Sequence, residues 1–193
     1  MANVSRVNGF NPIAKATDGS TGGKVGYYFV QAADATAIYI GDLVKLDGSS
    51  DATGIPSVTK VAATTVPIVG AVVGVSIRPA SGLDTPQYRA ATTARYVLVA
   101  DDPQQVFEVQ SSNGTPAVTD VGFNAAYADA GGSTVTGMSG ETVDIGSATT
   151  LNTAQLQIVG FSQRIDNEVG ANAKMLVRIN LHQYKSATGA LGL

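Results

Sequence analysis

The stretch KMLVRINLHQY, residues 174–184, carries the clearest two-residue alternation in the chain. Apolar and polar side chains take turns along it, with Met175, Val177, Ile179 and Leu181 in one set and Lys174, Arg178, Asn180 and His182 in the other. This period predicts a β-strand with one face in a core and the other face in contact with solvent or a partner. The polar set contains the one histidine of the protein, so its surroundings bear on function.

Further runs of β-branched and aromatic residues lie N-terminal to this strand and are separated by turn residues. They include KVGYYFVQA at 24–32, VPIVGAVVGVSI at 66–77 and ARYVLVADDP at 94–103. About nine such strands predict an all-β fold, either a single compact β-sandwich or a small β-barrel. Gly70 and Gly74 interrupt one of the runs, which indicates strong curvature.

At most one short helix is expected. Residues 119–132 could form it, with Phe123 and Tyr127 on a common face. No longer stretch shows the 3.6-residue period of an amphipathic helix.

Residues 1–24 differ in character from the rest of the chain. They are rich in Gly, Asn, Ser and Thr, and neither a strand period nor a helix period links their apolar residues. This predicts an extended N-terminal arm at 1–24 that precedes a β-rich body at 25–193. Its candidate docking residues are Val4, Arg6, Val7, Phe10 and Ile13.

The composition is poor in charge. Charged residues make up 14% of the 193 residues and hydrophobic residues 44%, and there is no cysteine. Soluble domains usually carry about 25% charged residues. Low charge is typical of a subunit whose surface is covered by partners in an assembly, and also of an ordinary β-protein with a Ser/Thr-rich surface. Composition leaves both interpretations open.

The charges are also unevenly placed. Three cations against one carboxylate occupy residues 1–30, and four cations against two carboxylates occupy residues 164–193. The middle of the chain is therefore acidic, which argues against binding to nucleic acid or to an anionic membrane surface. We expect neither a signal peptide nor a membrane span, because no apolar run approaches the ~20 residues that a spanning helix needs.

Catalytic and cofactor motifs are incomplete in this sequence. The segment DGSTGGKVG approaches a P-loop, but Asp18 stands in place of its first glycine and Val25 in place of its metal-binding hydroxyl. One histidine without cysteine does not provide an ordinary zinc site. Asp42, Asp47 and Asp51 lack EF-hand spacing, and the Asp-Asp-Pro sequence at 101–103 is typical of a turn. We therefore expect no enzyme, no cofactor and no bound metal.

Several strings are similar to those of a known family. The segments GDLVKL at 41–46, YVLVADDP at 96–103 and VGFSQRIDNEVGANAKMLVRIN at 159–180 resemble virion structural proteins of tailed bacteriophages and prophages. The resemblance extends over most of the chain and is weakest at 131–150. It implies a head-decoration, or cement, protein that binds the outside of an assembled capsid and stabilises it across capsomer seams. It implies no catalytic residues.

The resemblance also implies partners and a location. The partner would be the major capsid protein, the protein would be a homo-oligomer (a dimer or a trimer), and it would reach the virion surface after assembly in the bacterial cytoplasm. Two alternatives remain open. One is a head–tail connector, tail-tube or tail-terminator subunit, and the other is a carbohydrate-binding module on the virion surface that uses its tyrosines.

The polar face of the opening strand also has two interpretations. Lys174, Arg178 and His182 could form a solvated strand face, or they could form an interface with an acidic surface on a capsid or a neighbouring copy. The surroundings of these three residues in the fold distinguish the two.

Overall fold

A computed structural model describes residues 3–13, 25–77, 85–185 and 192 of the chain. Within them lie eleven β-strands and one turn of 3-10 helix at Val118–Asp120, so the predicted all-β fold is confirmed. The strands are β1 (Asn11–Ile13), β2 (Val25–Val30), β3 (Leu43–Ser50), β4 (Pro56–Lys60), β5 (Gly70–Val75), β6 (Arg95–Ala100), β7 (Val106–Ser112), β8 (Asn124–Ala128), β9 (Thr142–Thr149), β10 (Leu156–Phe161) and β11 (Lys174–Ile179).

The helix considered for residues 119–132 does not form beyond that one turn. Tyr127, which was to share a helical face with Phe123, lies instead on β8 and is buried. Its hydroxyl donates a hydrogen bond to the carbonyl of Val61 at 2.8 Å. Tertiary pairing with β9 and β10 therefore overrides the weak local helical signal.

The first five strands after β1 form a closed barrel in the order β2-β4-β3-β5-β6. β2 closes it by pairing with β6 over six residue pairs and with β4 at Phe29 and Ser57. Closure removes free strand edges, which would otherwise be sites for pairing with other chains. The barrel interior is filled by Tyr28, Val30, Ile38, Val44, Val58, Val69, Val72, Val97 and Val99.

The remaining strands form a second sheet in the order β1-β7-β11-β10-β8-β9. A parallel pairing of β9 with β7, at Ser111–Val143 and Ser112–Asp144, closes this sheet on itself as well. The structure therefore has barrel-like closure rather than a sandwich, and it divides the strands between two closed sheets. The sequence patterns did not indicate this division.

The two closed sheets share a hydrophobic core. Leu43, Ala71 and Ala100 of the first sheet pack in one buried cluster with residues of the second sheet, such as Phe107 and Met175. Burial of this apolar area is the main favourable term that holds the sheets together. The sheets are consequently parts of one packed unit.

Burial alternates along β11 as the sequence pattern predicts. Met175, Val177 and Ile179 are buried and face the core. The alternation of burial ends with the strand, because the amides of Asn180 and Leu181 both donate to the carbonyl of Gln155. Asn180 and Leu181 are consequently both buried.

The glycines of β5 differ in what surrounds them. A Cβ on Gly70 would collide with the backbone carbonyl of Ala100 on β6, so this position accepts only glycine without a shift of the strands. A Cβ on Gly74 would meet the Leu98 side chain at 3.4 Å, an ordinary contact. A bulge lies between Val72 and Gly74 in the pairing with β6, as the predicted curvature requires.

We predict that Gly70→Ala lowers the free energy of unfolding by about 1–3 kcal/mol or more, because the added methyl group forces β5 away from β6. Gly74→Ala is the matched control in the same strand and should change stability by less than about 1 kcal/mol. Urea unfolding followed by circular dichroism measures both. Equal destabilisation by the two substitutions would show that the close approach at Gly70 is not a constraint.

Candidate functional site

The predicted docking arm lies partly inside the fold. Val4 and Val7 are exposed, at 66% and 37%, and Arg6 is exposed as well. Phe10 is 1% exposed and packs edge-on against Phe107, with ring centroids 6.4 Å apart and an interplanar angle of 82°. Phe10 is therefore a core residue of its own chain, and the expectation that it docks on a capsid was wrong for this conformation.

Ile13, the last of the predicted arm residues, belongs to β1. It pairs with Val106, and Asn11 and Pro12 pair with Glu108 and Phe107. Ile13 is half-buried by this pairing. Residues 14–24, which complete the predicted arm, lie outside the described residues.

Polar contacts fasten the start of the arm to the second sheet. The Lys174 ammonium donates to the carbonyl of Arg6 at 2.7 Å and to Asn8 Oδ1 at 3.0 Å. The Arg6 amide donates to Gln110 Oε1 at 2.6 Å. Asn3 and Glu168 exchange two hydrogen bonds, at 2.8 and 2.9 Å. Residues 3–13 therefore lie along the sheet rather than away from it.

The three residues of the predicted strand interface do not share one exposed face. The Lys174 ammonium is hydrogen-bonded to the arm. Arg178 Nε donates to Gln157 Oε1 of the neighbouring strand at 2.7 Å. His182 is fully buried, and its Nδ1 accepts a hydrogen bond from the Tyr184 amide at 3.1 Å. Burial lowers the pKa of His182. The interface interpretation was therefore wrong for His182, which is a structural residue.

A cleft of about 280 Å³ separates the arm from the loop between β10 and β11. Ile165 and Val4 are exposed at its rim. Arg164 forms ion pairs with Asp166 at 3.1 Å and with Glu108 at 3.4 Å, so much of the charge around the cleft is balanced within the chain. The cleft therefore offers no concentrated charge to a ligand.

An exposed aromatic and aliphatic surface covers the outer side of the first barrel, where β2 lies beside β6. We call it the aromatic face. Tyr27 and Leu98 are cross-strand partners and are 41% and 39% exposed. The ring of Tyr96 stacks on that of Tyr27, with centroids 4.9 Å apart, and lies 5.2 Å from that of Phe29. The members of the aromatic face are Val25, Tyr27, Phe29, Tyr96 and Leu98.

The sequence of β2 contains a signal for this surface, because neither of its two alternating sets of side chains is polar. In β2, Tyr28 and Val30 point into the barrel while Tyr27 and Phe29 point outward, so both alternating sets are apolar. Both sets are also largely apolar in β6. A strand with two apolar faces either has other parts of the protein packed against both faces or exposes one apolar face. Single exposed apolar residues need no explanation, whereas a contiguous set indicates an interaction surface.

A buried charge cluster lies where the two sheets meet. Lys60 is the last residue of β4, and its ammonium lies 3.4 Å from Asp42 Oδ1, 3.6 Å from Glu141 Oε1 and 3.0 Å from Asp129 Oδ1. Asp42 precedes β3, Asp129 follows β8 and Glu141 precedes β9, so the ends of strands from both sheets supply the cluster. Asp42 and Glu141 are fully buried.

Burial sets the proton affinities in this cluster. It raises the pKa of Glu141 well above the ordinary 4.5 and also raises that of Asp42, while the Lys60 ammonium opposes both changes. Burial by itself lowers the pKa of Lys60, but the charges of Asp42 and Glu141 outweigh it and raise that pKa overall. Glu141 Oε2 also accepts a hydrogen bond from the Leu43 amide at 2.8 Å, which links the two sheets directly.

The other acidic residues considered for chemistry have structural roles. Asp51 accepts backbone hydrogen bonds from Thr53 and Ile55 and is part of a turn. Asp102 accepts from the Gln104 amide at 2.8 Å in the predicted turn. Among the described residues, no group of three or more His, Cys, Asp or Glu side chains is arranged to hold a metal ion. Asp18, of the P-loop-like segment, lies outside the described residues.

Comparisons with protein-family models, with curated proteins and with solved structures gave no match for this chain. Within the part of the chain that the structure describes, no helix is long and apolar enough to cross a membrane. The site assignments therefore rest on the residues and their geometry.

We predict that Phe10→Ala lowers the free energy of unfolding by about 3–5 kcal/mol, because it empties a buried site beside Phe107. Val4→Ala removes an exposed apolar side chain from the same arm and should change stability by less than ~0.5 kcal/mol. Urea unfolding of both variants is the measurement. Equal unfolding midpoints for the two would mean that the arm does not contribute to the core.

We predict a pH-dependent effect of Glu141→Gln. The raised pKa lets folded Glu141 keep its proton at pH values where the unfolded chain has lost it, so stability falls as the pH rises above about 4.5 towards the folded value. The glutamine variant lacks this loss. Its stability relative to the unsubstituted protein should therefore increase as the pH rises from about 5 to about 8.

Urea unfolding at several pH values measures this difference, and Glu168→Gln, which changes an exposed carboxyl group, controls for the loss of one negative charge. A stability difference for Glu141→Gln that stays constant with pH would contradict the assignment of a raised pKa to Glu141.

Proposed function

We propose that this protein is a decoration, or cement, protein of a tailed-phage head that binds the outside of the assembled capsid and joins capsomers across their seams. The observation that carries the proposal is the aromatic face, an apolar surface on a closed barrel whose strand edges are already paired. Aromatic residues that remain partly exposed are typical anchors of protein–protein interfaces. The resemblance of the sequence to phage virion proteins implies the shell as the partner.

The closure of both sheets also suits a protein that is present in many copies on one particle. A free strand edge pairs readily with other chains, and this hazard grows with local concentration. Here the first barrel is closed and the second sheet closes through β7 and β9. Neighbouring copies on a shell would consequently meet through side chains rather than through uncontrolled sheet extension.

Binding to a shell would stabilise it by mass action, because the bound protein favours the assembled state over separated capsomers. Homo-oligomers on local two-fold or three-fold axes suit such a shell. No catalytic group or cofactor enters this function.

The alternatives differ in what supports them. A connector or tail subunit often relies on inserted helices, and the described residues contain only one turn of 3-10 helix. A carbohydrate-binding module has one observation in its favour, the partly exposed ring of Tyr27, since sugars stack on aromatic faces. Binding of the purified protein to a glycan array would favour that second candidate.

We predict that Leu98→Arg weakens binding to emptied, expanded shells of the parent virion at least tenfold, equivalent to about 1.4 kcal/mol. The substitution places a charge in the middle of an apolar contact, where it loses its water. The control is Val135→Arg, which replaces an apolar residue that is 93% exposed and lies outside the aromatic face.

Co-sedimentation of each variant with the shells measures the affinity. Shells bearing Leu98→Arg should also break at a lower temperature than shells bearing Val135→Arg. Identical affinities and identical breakage temperatures for the two variants would exclude the aromatic face as the shell-binding surface.

A further inference from the structure

One edge of β7 is covered by two different strands. β1 pairs with residues 106–108 and β9 pairs with residues 111 and 112. β1 belongs to the segment 3–13 near the N-terminus, whereas β9 is an integral part of the closed sheet. Residues 3–13 therefore fill a groove along this edge of the second sheet, which we call the arm groove.

We infer that the arm groove of one copy also accepts residues 3–13 of a second copy, so that copies of this chain can be joined by exchange of their N-terminal arms. The inference goes beyond the proposed function, since it concerns contacts between copies rather than contacts with a shell. It can be tested in solution on the protein alone.

The contacts that hold the arm connect residues far apart in sequence. The amide of Phe10 donates to the carbonyl of Gly41 at 2.9 Å. The amide of Arg6 donates to Gln110, 104 positions away, and the ammonium of Lys174 donates to the carbonyl of Arg6, 168 positions away. None of these contacts requires that the arm and the groove belong to the same chain. An arm from a second copy would make the same contacts.

The groove is shaped for this particular sequence. Phe10 fills a buried site against Phe107, and burial of an aromatic ring is the largest apolar contribution available to the arm. Gly9 has a φ of +70°, and a Cβ there would lie 2.6 Å from the Gly41 carbonyl oxygen and from Ser139 Cβ. The occupant therefore needs a glycine followed by an aromatic residue. A second copy of the chain supplies both in the right order.

The connection to the rest of the chain is long enough for exchange. Residues 14–24 separate β1 from β2. Covalent geometry lets that stretch span up to roughly 40 Å, which exceeds the ~30 Å diameter of a small domain. The arm of one copy can therefore reach the groove of a copy that lies beside it.

Exchange of arms leaves the free energy of the contacts almost unchanged, because the exchanged and the closed forms contain the same interactions. The closed monomer is favoured in dilute solution, since association costs translational and rotational freedom. Copies held side by side have a high effective concentration, which offsets that cost. Exchange also requires the arm to leave its groove first, so its rate is set by local opening of the β1–β7 pairing.

The absence of cysteine from the sequence makes a disulfide trap straightforward. Asn11 and Glu108 are cross-strand partners, so cysteines at these two positions come together only when an arm occupies a groove. Protein with Asn11→Cys is mixed with a mass-tagged protein with Glu108→Cys, unfolded in urea, refolded together at increasing concentration and oxidised. We expect a disulfide-linked heterodimer whose yield rises with concentration.

Two controls decide the result. Asn11→Cys paired with Val135→Cys reports random collisions, because Val135 is exposed and has no role in the groove. The double variant Asn11→Cys/Glu108→Cys should form a disulfide within one chain in dilute solution. A mixed pair that gives no more heterodimer than the collision control, while the double variant closes within the chain, would overturn the inference.

A double variant that forms no internal disulfide would also overturn it, since the arm would then not lie on β7. The result is independent of shell binding. Failure of Leu98→Arg to weaken attachment would concern the aromatic face alone, and failure of the trap would concern the arm alone.

Discussion

β7 is the strand on which the second sheet depends, because both of its edges must be covered along its length. One edge carries β11 over five residue pairs, and the other carries β1 over three and β9 over two. A stretch of uncovered edge leaves backbone donors and acceptors available to other chains. β9 reaches only the C-terminal end of β7, and the N-terminal segment supplies the partner for the remainder. The burial of Phe10 follows from this pairing, since β1 brings the ring to Phe107.

The junction between the two sheets combines an apolar core with the Lys60 cluster. A buried ion pair adds little stability over an apolar replacement, but removal of one partner leaves a buried charge uncompensated. The geometry here is demanding, since carboxylates from the ends of β3, β8 and β9 must all reach one ammonium. Few relative placements of the two sheets satisfy that condition. The cluster therefore restricts the orientation in which the shared core can pack, while the core supplies most of the favourable free energy.

Local pattern predicted the strands well and predicted their surroundings poorly. The alternation at Met175, Val177 and Ile179 depends only on the two-residue period of a strand, and these residues are buried as expected. His182 continues the same alternation in sequence, yet it lies beyond the end of β11 and beside Ile68 in the segment before β5, a contact that no local period encodes. Lys60 and Glu141 meet for the same non-local reason.

The arm and the aromatic face differ in whether their signals were present in the sequence. Tyr27 and Phe29 alternate with buried Tyr28 and Val30, so the doubly apolar pattern was visible in β2. Phe10 lies in a polar segment of the sequence that has neither a strand period nor a helix period. Its position in the fold depends on pairing with an edge of β7, nearly a hundred residues away in sequence. In the proposed role these two features contribute differently. Arm exchange creates no contact that the closed monomer lacks, so it can raise avidity between neighbouring copies but cannot select a partner. Selection of the shell would then come from the aromatic face, where the side chains remain partly exposed and their shape and polarity decide which surface they fit.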